Sequence, residues 1–188
     1  MISAITALDF SILNWISENL RCAFFDFFMP KITVLGDKGL FWILVALVLI
    51  CTKKFRKVGI MLGIAYIFGF LIGNLTLKPL IGRIRPYDVN TEIELLIAAL
   101  SDYSFPSGHT LICFEAATVL MLTERKKFGF IALVIAVLVA FSRLYLYVHY
   151  PTDVLAGMIL GIGFGVLGFY LGGVLCRKIK NRYPSFCA

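Results

Sequence analysis

Residues 58–77 run without a single charged side chain, and residues 154–176 do the same. A helix needs about 20 mostly apolar residues to cross the hydrocarbon of a bilayer, or fewer when its ends are anchored at the interface. No other feature constrains this chain so strongly, because backbone groups in lipid have to be satisfied within the helix itself. Residues 128–142 are also uncharged and continue through Arg143 into LYLYV, so this segment can cross with its far end in a polar site. Residues 110–123 carry only Glu115 and can begin earlier, at PSGH. Residues 39–52 are short and extend back through Ile32, with Pro30 suited to a first helical turn.

Composition agrees with a bilayer as solvent. The 188 residues are 60% hydrophobic and 15% charged, against about 45–50% and about 25% in an ordinary soluble domain. The expectation is an all-α, polytopic transmembrane helical bundle with five or six spanning helices, forming one domain over residues 1–188. Residues 1–29 are broken by Asp9, Glu18, Arg21 and Asp26, while Ile5, Leu8, Ile12, Trp15 and Ile16 recur at helical spacing. That pattern reads as an amphipathic helix in the interface, with a first true span as the alternative. The start lacks the basic residues and cleavage site of a signal peptide, so it is expected to stay on the mature protein. In the last span Gly157, Gly161, Gly165, Gly168 and Gly172 sit three or four apart, which suits close helix packing.

The formal charge is +7, but its placement argues against a nucleic-acid partner. Lys53, Lys54, Arg56 and Lys57 separate two spans, Arg125, Lys126 and Lys127 the next pair, and Arg177, Lys178, Lys180 and Arg182 follow the last. If each span crosses once, all three clusters fall on one side, which the positive-inside rule makes cytoplasmic. Residues 78–109 and 143–153 then share the extracytoplasmic face of a cell membrane. The five cysteines, Cys22, Cys51, Cys113, Cys176 and Cys187, are scattered and suggest neither a metal site nor a disulfide framework.

Everything unusual for a membrane chain lies in those two segments, including both histidines. The first opens with KPLIGRIRP, carrying Lys78 and Arg85, and closes with FPSGH, carrying Ser107, Gly108 and His109. The second reads SRLYLYVHYPTD, carrying Arg143, His149 and Asp153. Charged groups at membrane depth are costly and mark functional sites. Lys78, Arg85 and Arg143 offer three cations and many N–H donors, suited to phosphoryl oxygens. Ser107 and the amide of Gly108, ahead of a helix, add donors of the kind helix N-termini present to anions. His149 and Asp153 stand four apart at a helix start, so the carboxylate can hold one ring nitrogen and leave the other as nucleophile. His109 can protonate the leaving oxygen. No further His or carboxylate cluster remains to hold a metal, and no cofactor is implied. Singly, each group has an ordinary reading: a lysine snorkelling to the interface, a capped His–Asp pair, a turn at PSGH. Arg83 falls in the snorkelling class. Three such blocks on one face favour a site.

The three blocks resemble the signatures of the type-2 phosphatidic-acid phosphatase superfamily, which also contains the vanadium haloperoxidases. That pattern is Lys-x6-Arg-Pro, Pro-Ser-Gly-His and Ser-Arg-x5-His-x3-Asp, matched here without departure. The resemblance implies a metal-independent membrane phosphatase acting on lipid phosphates through a phosphohistidine. His149 would be nucleophile, Asp153 its ring partner and His109 general acid. Lys78, Arg85, Ser107, Gly108 and Arg143 would bind the phosphoryl oxygens. Resemblance to small bacterial members points to undecaprenyl diphosphate as substrate. Phosphatidylglycerophosphate and phosphatidic acid are alternatives, as is transfer to an alcohol by a lipid phosphotransferase.

Overall fold

The computed structural model describes residues 4–124 and 126–182. Arg125 of the second basic cluster and Cys187 lie outside the described residues. Those described are mostly helical, with nine α-helices joined by short 3-10 and π segments and by irregular stretches at 82–85, 90–107 and 146–150: α1 (Ala4–Asn19), α2 (Ala23–Thr33), α3 (Leu40–Cys51), α4 (Arg56–Phe68), α5 (Lys78–Ile81), α6 (Pro86–Val89), α7 (Gly108–Leu122), α8 (Lys126–Tyr145) and α9 (Pro151–Arg182). Four stretches are long and apolar enough to cross a membrane: Ala23–Cys51, Lys53–Val89, Lys126–Tyr145 and Pro151–Arg182. Their outer faces expose side chains such as Leu44, Phe130 and Ile159, a surface that lipid covers and water would not tolerate.

The first span begins earlier than the hydrophobic run at 39–52 suggests. Pro30 sits inside α2, not in a first turn, because the phenylalanine-rich residues ahead of it extend the apolar helix back to Ala23. Proline is tolerated inside a membrane helix, where neighbouring groups re-satisfy the freed backbone. Helical geometry instead breaks at Val34–Gly39, where Asp37 turns extended and Lys38 (φ 49°) and Gly39 (φ 69°) are left-handed. A Cβ at Gly39 would lie 2.3 Å from Ile112 Cδ1. Ahead of α2, helix α1 turns Asp9, Leu13 and Ile16 inward and leaves Ile5, Leu8, Ile12 and Trp15 exposed.

Helix α7 is the axis of the bundle. Nine of its residues are buried, and six of them, Cys113, Phe114, Ala116, Ala117, Val119 and Leu120, join α4, α8 and α3 in one apolar core. Helix α9 lies directly against it. A Cβ at Gly157 would come within 2.6 Å of Ser107 O, and one at Gly161 within 2.5 Å of Leu111 O, so side chains there would hold the helices apart. Helix α7 has 15 residues, about 22 Å of rise against roughly 30 Å of hydrocarbon. Ahead of its start, residues 90–107 form an irregular loop. A second apolar cluster of Leu13, Ile16, Met29, Tyr87, residues 145–148 and Tyr150 closes that end. The starts of α3, α7 and α9 and the ends of α5 and α8 meet there, while the Lys53, Lys126 and Arg177 regions lie at the opposite helix ends.

Candidate active site

Helix ends place the residues expected at the site, except His149, which lies in the connection between α8 and α9. Lys78 opens α5 where π-helical Gly69–Leu77 ends, a helix form frequent at functional sites. Arg85 precedes Pro86 at the start of α6. Ser107 is the N-cap of α7 but makes no side-chain capping bond, accepting a bond from Thr110 Oγ1 instead (3.0 Å). Gly108 and His109 form the first turn of α7, Arg143 the last turn of α8, and Asp153 the first turn of α9. Tyr147, left-handed at φ 58°, folds the connection so that Val148 N donates to Arg143 O (3.2 Å) and His149 turns inward. Ser107 N donates to Asp153 O (3.1 Å), tying α7 to α9. Lys78, Arg85, Ser107, Arg143, His149 and Asp153 are all buried.

His149 is held by both ring nitrogens. Arg85 Nη1 lies 3.3 Å from Nε2 and can only donate, so Nε2 presents its lone pair and the proton belongs on Nδ1. Nδ1 is 3.5 Å from Ser104 Oγ and 3.6 Å from Asp153 Oδ2. Asp153 is thus close to the ring, but its shorter bonds go elsewhere. Ser104 Oγ donates to Asp153 Oδ2 (2.5 Å) and Tyr150 N donates to the same oxygen (3.0 Å). The buried Ser104 hydroxyl stands as a bridge between ring and carboxylate. Burial first, then the charges of Arg85, Arg143 and Lys78, push the His149 pKa well below the usual imidazole value. The ring stays neutral at neutral pH, as a nucleophile requires.

The cations form an anion cradle. Arg143 donates from Nη1 to Thr33 Oγ1 (2.6 Å), while its buried Nε and Nη2 have no protein partner. Lys78 pairs with Asp102. Arg85 donates to Asp102 Oδ1 (2.6 Å), to Asp102 O (2.8 Å) and to Val148 O (2.7 Å). Burial works to raise the half-exposed Asp102 carboxyl, but the bond and charge of Lys78, with Arg85, outweigh it and hold it at about 2. His109 Nε2 meets Asp37 Oδ1 at 2.7 Å.

Arg83 corrects the snorkelling assignment. Its guanidinium turns inward, donating to Asp153 Oδ1 (2.6 Å), Thr152 Oγ1 (2.7 Å) and Asp9 Oδ2 (2.7 Å), and it stacks on Tyr150 at 3.8 Å. Asp9 also accepts from Thr152 N (3.0 Å) and Thr152 Oγ1 (2.6 Å). The fork of Arg83 therefore fixes the carboxylate beside His149, a role that a lysine's point charge could not fill. Asp9, Thr33, Asp37, Asp102 and Ser104 were not singled out by the sequence as site residues. A charge inside an apolar stretch was the available signal for Asp9 and for Arg83.

Such a site can take a phosphoryl group on Arg143, Lys78 and Arg85, with His149 Nε2 beside it and His109 at the rim. Comparison with known proteins identifies the family. The PAP2 superfamily model matches residues 54–175, which include all three motif blocks. An undecaprenyl-diphosphatase of Sulfolobus acidocaldarius is 39% identical over 64% of this chain and 58% of its own length, so the match spans little more than half of that relative. A lipid A 4'-phosphatase of Bacteroides thetaiotaomicron is 30% identical over 98% of this chain and 84% of its own. The crystal structure of a transmembrane PAP2-type phosphatidylglycerolphosphate phosphatase from Bacillus subtilis superposes with a TM-score of 0.72 at 30% identity, covering 95% of this chain and 89% of that one.

Proposed function

Because this chain belongs to the PAP2 superfamily and is a multi-pass membrane lipid phosphatase, we propose that it dephosphorylates undecaprenyl diphosphate through a phosphohistidine on His149. The observation that carries the chemistry is the buried His149, whose Nε2 lone pair faces the Arg85 guanidinium, beside unpaired donors of Arg143. Nε2 attacks phosphorus, the bond to the leaving oxygen breaks, and His109 supplies that oxygen's proton. Water then attacks the phosphohistidine, returning a proton to His109 and releasing phosphate. Lys78, Arg85, Arg143, Ser107 and the Gly108 amide hold the equatorial oxygens, where charge develops. Asp153, through Ser104, holds the ring. No step calls for a metal, because these cations fill that role.

The diphosphate is favoured by the name of the Sulfolobus relative. A phosphomonoester such as phosphatidylglycerophosphate is the second reading, supported by the likeness to the Bacillus phosphatase. Purified protein in detergent with EDTA, offered both lipids and phosphatidic acid, is expected to release phosphate fastest from the diphosphate. A higher kcat/KM for a monoester would reverse the order, and metal-reversible loss of activity would remove the metal-free mechanism. His149→Ala should abolish turnover, and the quenched wild type should carry acid-labile, base-stable label from a labelled substrate. Near-normal release by His149→Ala would end the nucleophile assignment. A competing alcohol, if phosphorylated, would instead mark a phosphotransferase.

The basic clusters at the opposite helix ends, by the positive-inside rule, support an extracytoplasmic site that would take a headgroup at the outer leaflet. After replacement of the native cysteines, Thr91→Cys should react with an impermeant reagent on intact cells, and Lys126→Cys only after permeabilisation. The opposite pattern would invert the orientation and remove a role in recycling a wall-synthesis carrier.

A further inference from the structure

We propose that Asp37 is the positioning residue for His109, holding the imidazole by Nε2 so that Nδ1 delivers its proton to the leaving oxygen. The inference rests on the reading of His109 as general acid and adds to it a partner outside the region matched by the family model, residues 54–175. The segment Val34–Gly39 is shaped around this ring. Gly36 lies against it so closely that a Cβ there would be 2.7 Å from His109 Cδ2 and 3.1 Å from Cγ. The backbone then leaves the helix at Asp37, and Lys38 and Gly39 turn left-handed. That turn aims the Asp37 carboxylate at Nε2, 2.7 Å away. One turn earlier, Thr33 Oγ1 accepts from Arg143 Nη1 at 2.6 Å, so the same segment is fixed at two points of the site.

A carboxylate on one imidazole nitrogen does two things: it fixes ring orientation and tautomer, and it stabilises the imidazolium. With Nε2–H donated to Asp37, Nδ1 is the nitrogen left for chemistry. In the first half-reaction a bond forms from His149 Nε2 to phosphorus, the bond from phosphorus to the leaving oxygen breaks, and that oxygen takes the Nδ1 proton. In the second, water attacks phosphorus, Nδ1 takes the water's proton, and the phosphorus–nitrogen bond breaks. His109 ends as it began, with Asp37 bound throughout. Asp37 is half-exposed and touches neither reacting atom, so its influence has to pass through the ring.

A positioning role predicts dependence on the leaving group, which simple structural support does not. The alkoxide released from an alkyl phosphate is a poor, strongly basic leaving group and needs the proton. The p-nitrophenolate released from p-nitrophenyl phosphate leaves well without it. Asp37→Asn is expected to cut kcat on a short-chain alkyl phosphate on the order of 10²-fold, the range general acid catalysis supplies. Its kcat on p-nitrophenyl phosphate should fall far less, and that residual turnover also reports a folded protein. His109→Ala is measured on the same pair. If His109→Ala is selective for the alkyl substrate and Asp37→Asn slows both equally, or slows neither, Asp37 has no positioning role. If His109→Ala itself slows both equally, the general-acid reading beneath the proposal falls instead.

Discussion

Replacing Arg83 by glutamine tests whether the carboxylate beside His149 depends on a distant partner. The substitution keeps much of the side-chain length but removes the charge and the fork. It strands two carboxylates at once, since Asp153 and Asp9 are essentially without solvent contact while Arg83 is only 20% exposed. Breaking a buried ion pair by removing one member costs about 3–5 kcal/mol, because the remaining charge stays unpaired. Partial solvent access at Arg83 and the bonds Asp153 keeps from Ser104 and Tyr150 favour the lower end, about 3 kcal/mol. Turnover should fall as well, by up to about 10²-fold, the cost of displacing a reacting group by roughly 1 Å.

Stability is to be followed by SDS titration in mixed micelles, and activity by phosphate release normalised to folded protein. The double substitution Arg83→Gln, Asp9→Asn is the decisive arm. Neutralising Asp9 removes one stranded charge, so the pair should be more stable than Arg83→Gln alone, with a coupling of about 0.5–3 kcal/mol. Simple additivity of the two losses, or an Arg83→Gln protein as stable and active as wild type, would refute the argument.

Three further outcomes follow from the same geometry. Asp102→Asn should flatten the acid side of the unfolding profile: a carboxyl lowered from 3.8 to about 2 contributes stability above its unfolded value that is lost as pH falls toward the folded one, and an unchanged wild-type-minus-variant difference across that window would contradict it. Gly161→Val should destabilise by about 1–3 kcal/mol through overpacking on α7, whereas Gly163→Ala, with nothing within 4 Å of the new Cβ, should be neutral or gain about 0.5–1 kcal/mol; equal effects in thermal unfolding would dismiss the close-packing account of α9. In the His109→Gln variant the one remaining histidine signal in an NMR titration should move only well below the ordinary 6.5, and a midpoint near that value would mean that His149 is not shielded by burial and by its cationic neighbours.

What the sequence disclosed and what it hid divide along a physical line. Spans, loops and the motif blocks are written in local spacing, and local spacing survives folding because helices preserve it. The partners are written nowhere locally. Arg83 meets Asp9 across 74 positions, His109 meets Asp37 across 72, and Arg143 meets Thr33 across 110. An arginine near a helix end and an aspartate in an apolar stretch each have a bland reading, and only their pairing separates Arg83 from a snorkelling side chain. Pro30 shows the same limit in reverse: its local preference for a first turn yields to an apolar helix extending through it. The His149–Asp153 spacing was read as one direct bond, and the intervening Ser104 hydroxyl follows from how residues 90–107 fold back.

Those long-range pairs also explain how so many cations sit at membrane depth. Lys78, Arg83, Arg85 and Arg143 share this end of the bundle with Asp9, Asp37, Asp102 and Asp153, four formal charges of each sign: Asp102 pairs with Lys78 and Arg85, Asp9 and Asp153 pair with Arg83, Asp37 meets His109, and Arg143 bonds Thr33 instead of a carboxylate. The two halves of this balance differ. Arg83 is committed to the fully buried Asp9 and Asp153, and no phosphate can claim it without stranding both. Asp102 and Asp37 are half-exposed at the mouth, where water can take over their charge at little cost. A phosphoryl group can therefore claim the free Nε and Nη2 of Arg143 first, and then compete with Asp102 for Lys78 and Arg85. In the proposed function the displaced carboxylate would move toward solvent while the phosphate takes the cations, so that the buried site would exchange one anion for another and would not be left with unbalanced positive charge.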